Sequence, residues 1–342
     1  MLRSFVRAAL LLGALMLAAP LGAQAHDYAR ADSVARAVPA RAAASVQTLA
    51  AHFRGALPGE RDRARALYRW LVENVAYDVD QFYNPPLLGK VYDAGTVLRR
   101  RKGVCAEFAI LFERLAVGAG LEAVTVTGQA KAFSPNPRRP FLTQMHNWNA
   151  VKVDGEWIAL DASWGAGDVM GRDFVRRPRE FYFDPDPAKL IWSHWPAEPR
   201  WQLLERPLSQ REFDRLPFTP RDFWDLGFRA DAVAEAARRP GFRAFVGAFP
   251  APGQPVEVLE APLAFHLAPG EAHPFRLRAP GATEVVAVSG TAWHKLEPEG
   301  DTFGGTAALE AKDLVVMVRY PARPEGVVVL RYEEAGARGR GR

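Results

Sequence analysis

The sequence contains a single cysteine, Cys105, among 342 residues. One cysteine cannot form a disulfide within its own chain, which excludes the small secreted proteins whose fold depends on disulfide bridges. No stretch after the N-terminal region is long and apolar enough to span a membrane, so we expect no stable membrane insertion. The sequence also lacks internal repeats, a nucleotide-binding glycine loop and a cluster of metal ligands, and we expect no cofactor and no metal.

The body of the chain has no excess of charge of either sign. The formal net charge is +5, but two arginines lie in the N-terminal segment and three in the C-terminal tail. Of the 44 Lys and Arg residues, removal of these five leaves 39 to balance the 39 acidic residues. A neutral body does not attract a polyanion, so the composition argues against nucleic acid as a partner.

The first 25 residues have the pattern of a secretory signal peptide. Two arginines precede an apolar run over residues 8–19, and Ala23-Gln24-Ala25 supplies small residues for cleavage. We therefore expect a signal peptide over residues 1–25, a mature N-terminus near His26, and a secreted or periplasmic location. An uncleaved membrane anchor is the alternative, which the short apolar run and the cleavage motif disfavour.

Cys105 lies where the sequence predicts the start of a helix. Apolar residues recur at helical spacing from Phe108 onwards, and Gly103 stands just before the cysteine, where the backbone can approach closely. The free N–H groups and the dipole at a helix N-terminus favour the thiolate form of a cysteine. A small buried core cysteine is the alternative interpretation, and two later motifs argue against it.

Two strand-like runs around Asp154-Gly155 place a histidine near an aspartate. Asp-Gly between such runs is a strong signal for a two-residue hairpin turn, which pairs Val153 with Glu156. In that register His146 and Asp161 are diagonal neighbours on one face of the two strands. We therefore expect these two side chains to meet.

Cys105, His146 and Asp161 have the side chains that nucleophilic acyl transfer requires. The histidine takes the thiol proton, the aspartate holds the ring and stabilises its charge, and backbone N–H groups at the helix start can stabilise an oxyanion. The remaining histidines, including His194, have the pattern of ordinary polar or core residues. The sequence therefore predicts one catalytic group built from these three residues.

At these positions the sequence resembles the transglutaminase-like superfamily, whose fold is related to papain. The matching segments are Gly103-Val104-Cys105, His146 to Val151, Asp161 to Trp164, the upstream Tyr77-Asp78 and the later Pro196 to Leu204. The last of these resembles the branch that includes the kyphoscoliosis peptidase and related cytokinesis proteins. The resemblance covers about residues 45–225.

The resemblance implies an α+β fold: a papain-like, transglutaminase-like core with a helix-borne cysteine and an antiparallel sheet bearing the histidine and the aspartate. It implies a cysteine peptidase, an amidase or a cross-linking acyltransferase that acts on protein or peptide amides through a Cys105 thioester. Some members also use a side chain upstream of the cysteine at the oxyanion; the resemblance does not place one here, and Gln81 and Tyr77 are named as candidates for it. A catalytically silent envelope scaffold or binding protein on the same fold is the alternative, and an envelope protein is a candidate partner.

Short strand-like runs alternate with Gly and Pro turns from about Val256 onwards, which predicts a small β-sandwich-like domain. The predicted organisation is a signal peptide 1–25, a transglutaminase-like domain 26–228 with an aromatic and proline-rich extension, a β-rich C-terminal domain 229–334, and a disordered basic tail 335–342.

Overall fold

The computed structural model describes residues 26–85, 91–133, 141–220, 222–250 and 253–335. The predicted signal peptide 1–25 lies outside the described residues, and so does the predicted basic tail apart from Ala335. Within the described ranges, no helix is long and apolar enough to cross a membrane.

The first part of the chain is mostly helical. Its helices are α1 (Ala29–Arg36), α2 (Val46–Ala56), α3 (Glu60–Asn74), α4 (Val79–Tyr83), α5 (Ala94–Arg100) and α6 (Cys105–Gly118). Two short parallel strands, β1 (Ala76–Tyr77) and β2 (Lys102–Gly103), join the segment after α3 to the segment before α6. This pairing places Tyr77 beside Gly103, two residues before the cysteine.

A four-stranded antiparallel sheet follows the helices. It contains β3 (Glu122–Phe133), β4 (Phe141–Val153), β5 (Glu156–Leu160) and β8 (His194–Pro196), in the order β5-β4-β3-β8. Asp154 and Gly155 form the turn between β4 and β5 with φ angles of 52° and 90°, and Val153 pairs with Glu156. Positive φ at both turn residues is typical of a two-residue hairpin turn, so the predicted turn and its register are confirmed.

Short elements connect this sheet to the second part of the chain. They are α7 (Ala162–Ala166), β6 (Gly167–Met170), β7 (Asp173–Arg176), α8 (Pro187–Leu190) and α9 (Gln210–Arg215), with β8 between α8 and α9. β6 and β7 form an antiparallel hairpin. β8 pairs with β3 so that His194 lies opposite Ala130, which brings this later segment to the sheet.

The first hydrophobic core lies between the helices and the sheet. Its members include Leu67, Trp70 and Leu71 from α3, Phe108, Leu111, Phe112 and Leu115 from α6, and Val151, Val153, Ile158 and Leu160 from β4 and β5. Each such side chain stabilises the fold by about 1.5–3 kcal/mol when fully buried. α6 is thereby held against β3 and β4, and the position of its first residue, Cys105, is fixed with it.

The second part of the chain is rich in strands. Its elements are α10 (Ala230–Arg238), β9 (Gly247–Ala248), β10 (Glu257–Glu260), β11 (His266–Leu267), β12 (Ala272–Arg278), β13 (Glu284–Ser289), β14 (Ala292–Glu299), β15 (Thr302–Ala308), β16 (Asp313–Tyr320) and β17 (Arg323–Glu334). The strands hydrogen-bond in the order β10-β12-β15-β14-β13-β16-β17-β11, and β9 also pairs with β17. The sandwich-like packing of these strands stays a prediction.

The second hydrophobic core includes residues that precede the predicted domain boundary. Trp192, Phe223 and Phe228 belong to the same core as the buried residues of the strands. The ring centroids of Trp192 and Phe245 are 5.6 Å apart, and those of Phe223 and Phe228 are 4.4 Å apart. The predicted boundary after residue 228 therefore runs through this core, because the aromatic segments before it supply part of the apolar surface that the strands bury.

Candidate active site

Cys105 is the first residue of α6. Val104 before it has an extended backbone, with φ of −88° and ψ of 175°, and its side chain has no acceptor that could cap the helix. The Glu107 carboxylate instead accepts a hydrogen bond from the backbone N–H of Val104 at 3.0 Å. The N–H groups of a first helical turn have no intrahelical acceptor, so Cys105 lies at the positive end of the helix dipole.

Glu107 is fully buried and holds three segments together around the cysteine. Its second carboxylate oxygen accepts hydrogen bonds from the Gln81 amide at 2.7 Å and from the Tyr92 backbone N–H at 2.9 Å. A Cβ atom on Gly103 would lie 2.9 Å from the Glu107 carboxylate, so glycine is the residue that fits there. Sequence analysis missed Glu107, although a glutamate three residues after the N-cap is half of a capping box.

Gln81 and Tyr77 are the two side chains that the sequence offered for an oxyanion. The Gln81 amide N–H is engaged with Glu107, and its oxygen lies 3.5 Å from an Arg100 guanidinium nitrogen. The Tyr77 ring lies 5.9 Å from the ring of Phe82. The Gln81 amide is therefore held by Glu107, and the first-turn N–H groups of α6 are further candidates for an oxyanion.

His146 lies in β4 and is buried. Its Nε2 atom is 2.6 Å from Oδ2 of Asp161. The imidazole packs against Trp148 and Trp164, with ring centroids 5.9 Å and 5.4 Å away. Because Nε2 is engaged by Asp161, Nδ1 is the ring atom available to Cys105.

Asp161 follows β5 and is the N-cap of α7, which corrects the expectation that the sheet bears both the histidine and the aspartate. Its Oδ1 atom accepts hydrogen bonds from the Ser163 N–H and hydroxyl, both at 2.8 Å, and from the Trp164 N–H at 3.0 Å. These hydrogen bonds end the strand because they stabilise a helical turn directly after Asp161. His146 and Asp161 still meet, but one lies in a strand and the other caps a helix.

Cys105, His146 and Asp161 form one hydrogen-bonded chain. Burial raises the pKa of Cys105, but the hydrogen bond and charge of His146 and the backbone N–H of Asn147 outweigh burial and lower this pKa. Burial lowers the pKa of His146, whereas the charge and hydrogen bond of Asp161 and the contact with Cys105 raise it well above its ordinary value. Burial raises the pKa of Asp161, but the two histidines that contact it lower this pKa well below the usual range. All three directions favour a thiolate, an imidazolium and a carboxylate.

A second histidine, His194, belongs to the same cluster, although sequence analysis gave it no functional role. Its Nε2 atom is 3.1 Å from Oδ2 of Asp161, and its Nδ1 atom is 2.8 Å from the hydroxyl oxygen of Ser193. His194 is buried and reaches this position through the pairing of β8 with β3. No sequence motif marks it, since it lies 33 residues after Asp161.

The donor atoms of His146, Asp161 and His194 lie within 4.8 Å of one another, a grouping that can hold a metal ion in other proteins. Two ligands of a tetrahedral zinc ion lie about 3.3 Å apart. The 2.6 Å between His146 Nε2 and Asp161 Oδ2 is shorter than that and is a hydrogen-bond distance. These two atoms therefore share a proton; the sequence predicted that His146 and Asp161 meet but gave no signal for His194.

The arrangement of these groups supports nucleophilic chemistry at a carbonyl. A thiolate at Cys105 can attack, the His146 imidazolium can give a proton to a leaving group, and Asp161 compensates the imidazolium charge in a buried environment. Cys105 itself is partly exposed, so its thiol is accessible while His146 and Asp161 are buried.

Comparisons with known proteins agree with the resemblance noted in the sequence. A family model described as the transglutaminase-like superfamily matches residues 47–162, a range that contains Cys105, His146 and Asp161. Kyphoscoliosis peptidase from Mus musculus is 34% identical over 169 residues, which cover 48% of this chain and 25% of the relative. Hillarin from Drosophila melanogaster is 30% identical over 184 residues, which cover 48% of this chain and 22% of the relative. The chain thus spans about a quarter of the length of these relatives.

A solved structure described as that of a cysteine protease candidate, from Cytophaga hutchinsonii, is 27% identical and covers 34% of this chain and 36% of that chain. Its TM-score of 0.25 is too low for a comparison of the two sites. The matches in sequence carry the assignment, and they agree with the branch that the segment from Pro196 to Leu204 indicated. Residues 47–162 of this chain thus match the transglutaminase-like superfamily, and the similar relatives include kyphoscoliosis peptidase and hillarin.

Proposed function

We propose that this chain is an exported thiol enzyme that cleaves or transfers the acyl groups of protein or peptide amides through a thioester on Cys105. The observation that carries the proposal is the hydrogen-bonded chain from the Cys105 thiol through His146 to Asp161. The buried His146 imidazole lowers the pKa of a partly exposed thiol, which is the requirement for a nucleophile at neutral pH.

In the first half of the reaction the Cys105 thiolate attacks the amide carbonyl carbon and forms a C–S bond. The carbonyl oxygen becomes an oxyanion near the N–H groups that begin α6. His146 gives its proton to the amide nitrogen, the C–N bond breaks and the amine leaves. The products are an acyl thioester on Cys105 and a neutral His146.

In the second half an acceptor attacks the thioester carbonyl. His146 removes the proton of the acceptor, the C–S bond breaks, and the thiolate and the imidazolium return. Water as acceptor gives a carboxylic acid, which is peptidase or amidase chemistry. An amine as acceptor gives a new amide, which is cross-linking chemistry.

Three features support the proposed substrate and setting. The name of the kyphoscoliosis peptidase suggests a protein or peptide amide as substrate. The pattern of residues 1–25 suggests export, and with it a protein partner in the cell envelope. The balanced charge of the body offers no attraction for nucleic acid.

The test uses the mature chain from His26 and its Cys105→Ala variant. Both are incubated with a peptide library, with and without an amine donor, and products are identified by mass spectrometry. We expect cleaved or amine-linked peptides from the wild type and none from the variant, with melting temperatures that agree because only a small side chain is removed. Product formation by Cys105→Ala at a near wild-type rate would show that another group is the nucleophile.

A second measurement separates the enzyme from a silent scaffold on the same fold. An enzyme thiol reacts with an epoxide or an acyl-amide electrophile at a pH well below the free-thiol pKa of about 8.5. A Cys105 that titrates near about 8.5, unmoved by His146→Ala, would favour the scaffold. N-terminal sequencing of exported material, expected to begin near His26, tests the location.

A further inference from the structure

One oxygen of Asp161 accepts hydrogen bonds from two histidines. His146 Nε2 lies 2.6 Å and His194 Nε2 lies 3.1 Å from the same Oδ2 atom, and the two ring centroids are 5.4 Å apart. A carboxylate needs one such contact to orient the His146 ring. The contact from His194 is therefore not needed to orient His146 and requires a separate explanation.

The Ser193 hydroxyl contacts the ring nitrogen of His194 that does not contact Asp161. The Ser193 hydroxyl oxygen lies 2.8 Å from His194 Nδ1 and 3.3 Å from the carbonyl oxygen of Leu190. The Asp161 carboxylate can only accept, so the Nε2 atom that contacts it carries a ring proton. In the neutral ring Nδ1 is then an acceptor, and the Ser193 hydroxyl is the donor that can reach it.

Aromatic rings hold His194 in this orientation. The centroids of Trp164, Trp148 and Tyr182 lie 4.6 Å, 5.2 Å and 6.0 Å from that of His194. The backbone of His194 is fixed as well, because it pairs with β3 at Ala130. The ring is therefore a rigid donor that points at Asp161, and its burial keeps it away from any substrate.

We propose that His194 is a positioning residue that shares the negative charge of Asp161 and so sets the pH range in which Cys105 and His146 form an ion pair. The inference rests on the proposed function. A hydrogen bond to a carboxylate stabilises its negative charge and weakens the attraction that the charge exerts on nearby protons. His146 then holds its proton less tightly and releases it more readily to the leaving amine.

The other ionisable groups around the cluster do not provide this effect. In the described part of the chain, Cys105, His146 and His194 interact with Asp161, Tyr68 is influenced by the charge of Asp161, and Tyr182 contacts the ring of His194. Burial raises the pKa of Tyr68 well above its ordinary value, so Tyr68 stays uncharged across the range tested. His194 is the group that lies between Asp161 and the hydroxyl of Ser193.

The test is the pH dependence of Cys105 alkylation in the mature full-length chain, together with kcat and KM on a substrate found as described above. The alkylation rate of a thiolate–imidazolium pair has a lower transition, where the pair forms, and an upper one, where the imidazolium loses its proton. His194→Phe keeps an aromatic ring and removes the donor. Because Asp161 then exerts its full charge, we expect both transitions to move to higher pH by about one unit. We expect kcat to fall by about three- to tenfold with KM unchanged.

Two more variants and a control complete the design. His194→Gln keeps an N–H group that can reach Asp161, so its transitions should stay near those of the wild type. Ser193→Ala removes the hydroxyl that polarises the ring, so both transitions should move upward by a smaller amount. Ser289→Ala is the matched control, because Ser289 is a buried serine with three hydrogen bonds in the β-rich part. It should leave both transitions in place.

If the alkylation transitions of His194→Phe and Ser193→Ala stay at the wild-type pH, the inference is wrong. It is also wrong if the upper transition moves to lower pH, because that means Asp161 has lost contact with His146. If His194→Phe does not fold, Ser193→Ala decides by the same criteria. A wild-type thiol that titrates near about 8.5 instead removes the ion pair itself and contradicts the proposed function. An acidic wild-type thiol with unmoved variants contradicts the role of His194 alone.

Discussion

Replacing Asp161 with asparagine keeps the shape of the side chain and changes one oxygen into an NH2 group. Asp161 accepts three hydrogen bonds at Oδ1, from Ser163 and Trp164, and two at Oδ2, from His146 and His194. The oxygen of asparagine can keep the three that cap α7. Its NH2 group then faces two histidine N–H groups, so donors meet donors where the carboxylate made two charge-assisted hydrogen bonds.

The expected loss of stability follows from those two hydrogen bonds. Each hydrogen bond to a charged group contributes about 1.5–3 kcal/mol, and removal of a buried charge offsets part of the loss. We expect the free energy of unfolding to fall by about 2–4 kcal/mol. A loss of this size leaves room for a folded variant, because the first core and the α7 cap are retained.

The loss of stability depends on pH, and its pH range identifies Asp161 and His146 as the groups responsible. The pKa of Asp161 is lowered in the folded chain, so its contribution is present above the unfolded pKa of about 3.9 and is lost as the pH falls through the folded value. The pKa of His146 is raised, so its contribution is present below the unfolded pKa of about 6.5 and is lost as the pH rises through the folded value. Wild type and variant should therefore differ most between about pH 4 and 6.5.

In free-energy terms, the expected loss of catalytic rate is larger than the expected loss of stability. An aspartate-to-asparagine change in a serine triad lowers kcat by about 10⁴-fold because the histidine takes the wrong tautomer, and the same reasoning applies here. The assays are kcat on the peptide substrate, the pH profile of Cys105 alkylation, and denaturant unfolding across the pH range. Asp32→Asn is the control, since Asp32 pairs with Arg65 outside the site and its loss should lower stability without moving the thiol profile. A variant that retains activity within tenfold of the wild type, with an unmoved upper transition in alkylation, would refute the role of Asp161.

The remaining predictions concern the support of the cysteine and the second core. Gly103→Ala should lower stability by about 1–3 kcal/mol and slow alkylation, because the new Cβ lies 2.9 Å from Glu107; an unchanged melting curve would contradict this close approach. Glu107→Gln should slow alkylation of Cys105, because the NH2 group of the new glutamine would face an N–H donor of Gln81, Tyr92 or Val104. Alkylation at the wild-type rate would mean that these contacts do not position the thiol. A chain that ends at Arg238 should aggregate, because it exposes the apolar surface of the second core; a soluble, thiol-reactive fragment would show that the first core is independent.

Local sequence signals were enough to predict the helix start at Cys105 and the hairpin. Gly103 and the helical spacing after Cys105 predicted a helix start, and α6 begins at Cys105. Asp154-Gly155 predicted a register that the structure has. These signals are reliable because a turn type and a helix terminus depend mainly on residues within a few positions of each other.

The hairpin register alone did not predict the conformation of Asp161, because two local sequence patterns compete at this residue. Continued strand alternation predicts Asp161 opposite Trp148, whereas an aspartate followed by a serine two residues later is also an N-cap pattern. The paired residues end with Asn149 and Leu160, so the next residue gains no further hydrogen bond from β4. The three hydrogen bonds at Oδ1 therefore decide the conformation, and the strand ends at Leu160, before Asp161.

His194 could not be found from local patterns, and the reason is physical. Its position depends on β8 pairing with the outer edge of β3, more than sixty residues earlier in the chain, and a three-residue strand carries almost no periodic signal. Its chemistry depends on Ser193 and Asp161, of which one is a neighbour and the other lies 33 residues away. Cys105 and His146 lie on regular elements with strong local signals, whereas His194, which we propose adjusts their proton affinity, is contributed by a short edge strand. If the pH range of a transglutaminase-like site is set this way, changes in that edge strand can shift the working pH while the Cys, His and Asp stay the same.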